Sequence, residues 1–289
     1  MNTKPFIAVI LVMALVTMAC GVTINLPVEQ VKTGPTETTD ITVPLPESDT
    51  TVTDISLAFG AGKIVINPGA ENDLVTGTAT YNVPDFKPEV AITGNSVRIR
   101  QGNLQINGIP NFQGNIQNEW NLSIGSTPID LSIDAGAYSG SYELGGLSIN
   151  RLDVTDGASD VALSFSEPNQ SEMSTFSYKT GASNVHMDGL ANANFSVMTF
   201  RSGAGSYTLN FDGELQRDAD VNIDTGISSL TIIVPEGTAA EVRFNGALSN
   251  VSTSGAWSRS SGRYMMSGEG PKLTISIQMG AGSLDLRDK

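Results

Sequence analysis

The sequence predicts an all-β protein: a flattened parallel β-solenoid with about 22 residues per coil, preceded by a smaller β module. Three observations predict it. Short runs alternate apolar and polar residues. A small-residue corner returns at nearly constant spacing. The composition is rich in turn formers and poor in helix-surface side chains, with 30 Gly and 13 Pro among 289 residues and only 16% charged against 39% hydrophobic.

The alternation comes first. Ile55-Ser-Leu57-Ala-Phe59, Val97-Arg-Ile99, Leu122-Ser-Ile124, Ile129-Asp-Leu131-Ser-Ile133, Leu273-Thr-Ile275-Ser-Ile277 and Leu284-Asp-Leu286 all have period two, and Gly, Asn, Asp or Pro bounds each run. That pattern means strands with one buried face. The best helical candidate, Gly189 to Phe195, is too short and too rich in Asn to make an α-helix.

The corners come second. Gly136-Ala-Tyr-Ser, Gly157-Ala-Ser-Asp, Gly181-Ala-Ser-Asn, Gly203-Ala-Gly-Ser and Gly226-Ile-Ser-Ser follow one another at gaps of 21, 24, 22 and 23 residues. Weaker or outlying copies stand at Gly246-Ala-Leu-Ser-Asn-Val, Gly280-Ala-Gly-Ser-Leu and Gly60-Ala-Gly-Lys-Ile. A second corner is marked by Gly145-Gly146, Asp188-Gly189, Asp212-Gly213 or Pro235-Glu-Gly237. Two strands and two corners per unit, repeated at fixed period, stack into a solenoid because one unit cannot bury its own apolar face. Small residues suit the corners because adjacent coils lie only about 4.8 Å apart. Strand length and turn spacing also allow an antiparallel sandwich. The repetition of one corner motif favours the solenoid.

The N-terminal region has its own logic. Phe6 to Ala19 is an unbroken apolar run of 14 residues behind Lys4, short for a membrane-spanning helix and normal for a signal peptide. It ends at Cys20, the only cysteine. Ala19-Cys20-Gly21 resembles a bacterial lipobox, although Thr17 and Met18 depart from its usual pattern. The resemblance implies cleavage after residue 19 and lipidation of Cys20; an ordinary secretory signal or an N-terminal anchor is the alternative. Residues 20–50, rich in Thr, Pro and acids, are expected to be a tether, with Ile41 to Val43 pairing as an edge strand. Residues 51–115 form the β module and 116–289 the solenoid. The expected location is the extracytoplasmic face of the cell membrane.

Residues 57–101 resemble the N-terminal module of the bacterial toast-rack family. The features are the Gly60-Ala-Gly62 turn, the segment Leu74-Val75-x-Gly77-x-x-x-Tyr81-Asn82-Val83, the step Lys87-Pro88-Glu89-Val90 and the closing Arg98-Ile-Arg100-Gln101. The later coils are similar to adhesin-type solenoids and to the C-terminal domain of cell-wall-antibiotic-response proteins. The resemblance implies an exported β-solenoid concerned with adhesion or envelope stress, and it supplies no catalytic residues.

The formal charge is −14, and −15 once Lys4 leaves with residues 1–19. With its few bases scattered along the sequence, such a chain is a poor candidate for nucleic-acid binding, and no nucleic-acid partner is expected. One His and one Cys leave little for zinc or Cys–His chemistry. His186, between two core-facing positions, is expected on the surface. Asp134, Asp156 and Asp160 lie in Gly-rich turns and are expected to be solvated and bonded to their own turns rather than to calcium. The aromatics Tyr138, Tyr142, Phe165, Phe176, Tyr178, Phe195, Phe200 and Tyr207 are expected to stack in the core, and Trp120 and Trp257 to pack near strand ends. Arg287-Asp-Lys289 offers a charged stop against end-to-end stacking.

The expected function is a non-enzymatic, lipid-anchored surface scaffold. No cofactor, metal or catalytic residue is expected, and the ligand-binding residues are not legible. The partners would be the membrane through the lipid, and an envelope polysaccharide or another surface protein. The alternative is a polysaccharide-active β-helix enzyme with Asp130, Asp134, Asp153, Asp156 and Asp160 clustered across coils.

Overall fold

The computed structural model describes residues 28–30, 32–46, 52–102, 109–111, 115–260 and 262–289. The strands are β1 (Val28–Gln30), β2 (Glu37–Pro44), β3 (Thr53–Pro68), β4 (Asp73–Tyr81), β5 (Pro88–Thr93), β6 (Ser96–Gln101), β7 (Ile109–Asn111), β8 (Asn118–Ile124), β9 (Ile129–Glu143), β10 (Ile149–Ser164), β11 (Met173–Asp188), β12 (Phe195–Asn210), β13 (Ala219–Val234), β14 (Thr238–Thr253), β15 (Ser258–Ser260), β16 (Arg263–Met266) and β17 (Glu269–Asp288). Short 3-10 turns cover Pro84–Phe86 and Leu190–Ala193. The chain divides into two units. In the smaller one β1 pairs in parallel with β7. The larger one, Thr33–Leu104 with Ile116–Lys289, holds a single 15-stranded sheet.

The long strands of that sheet are bent in the middle. In β10, Leu152, Val154 and Asp156 face inward; Gly157 and Ala158 are both exposed; Val161 and Leu163 face inward again. The alternation slips by one residue at the corner glycine, so each long strand is two straight halves meeting at a bend. The second corner, between strands, turns at Gly146, Gly189, Gly213 or Gly237, all with φ between 68° and 105°, a region open to glycine. This is the flattened parallel β-solenoid that the sequence predicts.

Rungs β3, β9, β10, β11, β12, β13 and β17 stack in parallel and in register. The corner glycines stack with them. A Cβ on Gly181, Gly203 or Gly280 would stand 2.5–2.7 Å from the carbonyl oxygen of Gly157, Gly181 or Gly226 on the neighbouring rung. No real side chain fits there, which is why this motif repeats. Inside, the register builds continuous rows. Leu57, Ile133, Val154, Tyr178, Phe200, Ile223 and Ile277 form one row, each at most 2% exposed. Tyr178 stacks on Phe200 at 5.6 Å between centroids, and Phe200 meets Tyr207 edge-on at 5.0 Å. All eight aromatics expected in the core are there, and so is Trp120.

The ends of the stack are built differently from the middle. At the N-terminal end, β6 covers the first half of β3 and β8 the second half, both in parallel. β4 then pairs antiparallel with β8, and β2 antiparallel with β4. Ile41 and Val43 are the buried residues of β2, the edge strand expected there.

At the C-terminal end, chain order and stacking order part. β17 inserts between β13 and β14, parallel to both. Arg287 and Lys289 therefore end an interior rung and do not cap the stack as expected; Lys289 bonds Asp212 instead, at 2.6 Å. The terminal strand is β14. Its register also corrects the corner assignment: Gly246 pairs with Met279 and Leu248 with Ala281, so Ala247 occupies the corner position opposite Gly280. Pressed from one side only, a terminal strand has room for that Cβ. β16 pairs antiparallel with residues 240–243 of β14, and β15 pairs with β16. Among the described residues no strand pairs with the far edge of β14 from Phe244 to Thr253.

Glu241 fixes this end. Its side chain is 8% exposed and meets Lys272 at 2.7 Å, Arg243 at 2.8 Å and Arg263 at 3.2 Å. The bonds from Lys272 and Arg243 hold its pKa down, to about 2.

Candidate functional site

The outer surface is as regular as the core. In each rung the residue two before the corner glycine points outward. Read up the stack, this row is Asp134, Thr155, Lys179, Arg201, Asp224 and Gln278, all exposed. Beside it runs the glycine ladder, and beyond that the small residues Ala137, Ala158, Ala182 and Ala204. Because the ladder carries no side chains, the bend holds a shallow groove. One stretch of 570 Å³ is lined by Thr155, Lys179, Gly181, Arg201, Asp224 and Gly226 among others. A second, of 410 Å³, continues it past Asp134 and Gly136 to Gly60.

Two cations sit side by side in this groove. Lys179 and Arg201 are register partners on adjacent rungs, about 4.8 Å apart at the backbone. Among the described residues neither has an ion-pair partner. The bases of this acidic chain, scattered in sequence, are thus gathered in space here and again around Glu241. The signal was in the repeat: Lys179 and Arg201 occupy the same position relative to Gly181 and Gly203.

Beneath the groove the corner is polar. Thr180 donates to Ser183 at 2.7 Å and Thr225 to Ser228 at 2.8 Å, each across the bend. Between them Ser202 faces Gly205 three residues on, and its hydroxyl has no partner. Asp156 lies in the same inner row. It is 6% exposed and accepts bonds from Tyr178 at 2.7 Å and Tyr138 at 3.3 Å. The expectation of a solvated turn residue fails here. Position 156 has the parity of Leu152 and Val154, and two phenols supply the donors that its own turn does not. Burial pushes both phenols well above the ordinary tyrosine range, so they stay protonated and donate.

The remaining candidates separate. Asp160 is exposed on the other half of the coil and accepts a bond from Asn184 at 3.0 Å. Asp134 lines the groove. Asp130 and Asp153 stay together on the outer face of the first half, beside Asp54 and Arg151. Burial and the neighbouring carboxylates raise the pKa of Asp130 against the opposing effect of Arg151. The five acids named as a catalytic cluster are therefore spread over the core, the groove and two faces. His186 is half-exposed and meets Asp188 at 2.7 Å. Among the described residues no group of three or more His, Cys, Asp and Glu is placed to hold a metal ion, and no helix is long and apolar enough to cross a membrane. Cys20 lies outside the described residues.

The family model for the N-terminal domain of toast_rack (DUF2154) matches residues 32–176, half of the chain. The chain belongs to the toast-rack family. The match runs from before β2 into β11 and so spans both the N-terminal cap and the first rungs of the stack. No curated protein matches this toast-rack chain. Among solved structures it is similar to a "putative cell adhesion protein" from Clostridium sporogenes, with 18% identity over 88% of this chain and 100% of that one and a TM-score of 0.48. It is also similar to a "putative lipid binding protein" from Parabacteroides distasonis, with 12% identity over 90% and 99% and a TM-score of 0.39. A third is a "putative adhesin" from Bacteroides fragilis, with 10% identity over 89% and 99% and a TM-score of 0.34.

Proposed function

We propose that this toast-rack protein is a lipid-anchored, extracytoplasmic scaffold that binds an envelope component and catalyses no reaction. The supporting observation is the outer surface: the register lines up Ser139, Asp160, Asn184, Ser206, Ser229 and Ser283 as one row of short polar side chains over the parallel rungs, and a groove runs along the bend. Repeat stacks that offer extended faces of this kind suit binding. The anchor is Cys20, which would tether the chain through acyl groups at about 0.8 kcal/mol per buried CH₂.

Two measurements test the proposal. Mass spectrometry of the mature N-terminus should find lipid on Cys20, and Cys20→Ser should move the chain from the membrane to the soluble fraction. Purified protein should be retained on envelope material from the same cells. A soluble native product beginning elsewhere removes the anchor, and no retention removes the scaffold. One arrangement favours the enzymatic alternative: Asp54 and Asp130 are register partners on adjacent rungs, and Asp130 is raised toward the protonated form. Hydrolysis of a polysaccharide by the wild type, lost in Asp130→Asn, would establish that reading in place of the scaffold.

A further inference from the structure

We infer that the bend groove is an oxyanion site, in which Lys179 and Arg201 together hold one phosphate or carboxylate group of an envelope glycan. The inference rests on the scaffold reading and supplies its ligand class and site. Lys179 and Arg201 stand on neighbouring rungs in a chain of net charge −14, where an exposed base has no shortage of carboxylates to choose from. Among the described residues eight Lys and Arg side chains take an acidic partner; these two, placed where their like charges repel, do not. A pair of unneutralised cations separated by one rung suits an oxyanion that bridges them, with the planar guanidinium giving two bonds and the ammonium a third.

The groove also selects what carries the anion. Its floor is the glycine ladder, and its lining includes Thr155, Thr180, Ser202 and Thr225, with Asp156 below them holding the phenols of Tyr138 and Tyr178. It has no deep apolar pocket of the kind that seats a peptide side chain. A polyhydroxylated chain lying along the stack fits such a surface. Asp134 and Asp224 bracket the cations in the same row, two rungs below and one above. Dense polyanions would meet those carboxylates and the overall negative charge within the screening length of about 8 Å at physiological salt. The ligand is therefore a glycan with at most about one anionic group per sugar, not a dense polyanion.

The test uses the full chain in detergent and calorimetric titration with a digalacturonate, its neutral methyl ester, inorganic phosphate and heparin. The digalacturonate should bind, inorganic phosphate should compete with it, and the methyl ester should bind at least tenfold more weakly. Heparin should bind no tighter per anionic group than the disaccharide. In Lys179→Gln/Arg201→Gln the digalacturonate affinity should fall at least tenfold, while Arg98→Gln, an exposed base away from the groove, should leave it unchanged. Both substituted side chains are exposed, so an unchanged melting temperature verifies the fold.

Equal binding by the double variant, or equal binding of the methyl ester, overturns the inference. So does heparin binding that far exceeds the disaccharide and survives the double substitution. Retention on envelope material separates the two proposals. Retention with no oxyanion binding sinks the site and leaves the scaffold standing. Oxyanion binding without retention does the reverse.

Discussion

β12 and β14 carry versions of the same coil but end in different surroundings. Phe200 of β12 is completely buried, whereas Phe244, in the same inner row of β14, is only half-buried. Tyr207 and Leu209 of β12 are at most 1% exposed; their counterparts Val251 and Thr253 are half-buried and exposed. The difference lies in the neighbours. β12 has a rung on each side, and β14 has β17 on one side and a short hairpin over part of the other. An apolar residue in a stack is buried by the rungs that flank it, so the worth of each position is set by where its coil sits.

The comparison can be broken in several places, the largest effect first. Phe200→Ala should cost about 3–5 kcal/mol in urea denaturation, and Phe244→Ala under about 1.5 kcal/mol, because only the first leaves a closed cavity. Equal losses would mean that the terminal rung is as well covered as the middle. Gly203→Ala should cost about 1–3 kcal/mol through its clash with the Gly181 carbonyl. Ala247→Gly, at the equivalent corner of β14, should stay within about 1 kcal/mol. Asp156→Ala strands two buried phenols and should cost about 1–3 kcal/mol, against less than about 0.5 kcal/mol for exposed Asp160→Ala.

The smallest effect is local and depends on pH. Glu241 has a folded pKa of about 2, below its ordinary value of 4.5. The stability it contributes is present above pH 4.5 and disappears as the pH falls through about 2. Hydrogen exchange in β14 and β16 should therefore accelerate over that window in the wild type, with no such acceleration in Glu241→Gln. The amides of β12 should be indifferent to both changes.

Much of this architecture is legible from period and spacing. The run Leu152-x-Val154 gives the inward face, and the glycines at 157, 181 and 203 give the corner, because a parallel in-register stack repeats its geometry at every rung. The same regularity hides the order of the rungs. Gly246 and Gly280 mark similar coils, and nothing local to either states that the later one lies inside. The hairpin of β15 and β16 lies off the repeat and leaves no periodic trace. Asp156 is hard to read because its glycine-rich setting suggests a solvated turn while its parity with Val154 places it inside. The groove cations are hidden for a related reason: 22 residues separate Lys179 from Arg201 in sequence, and only folding the repeat onto itself makes them neighbours.

The placement of β17 has a consequence for synthesis. Strands leave the ribosome in numerical order, but β14 emerges before the surface on which it must rest. It waits for that surface until β17, which ends 35 residues later, wedges in behind it. A chain cut before residue 269 would lose two rungs of order for the length of one, and β13 would be left as a raw apolar face.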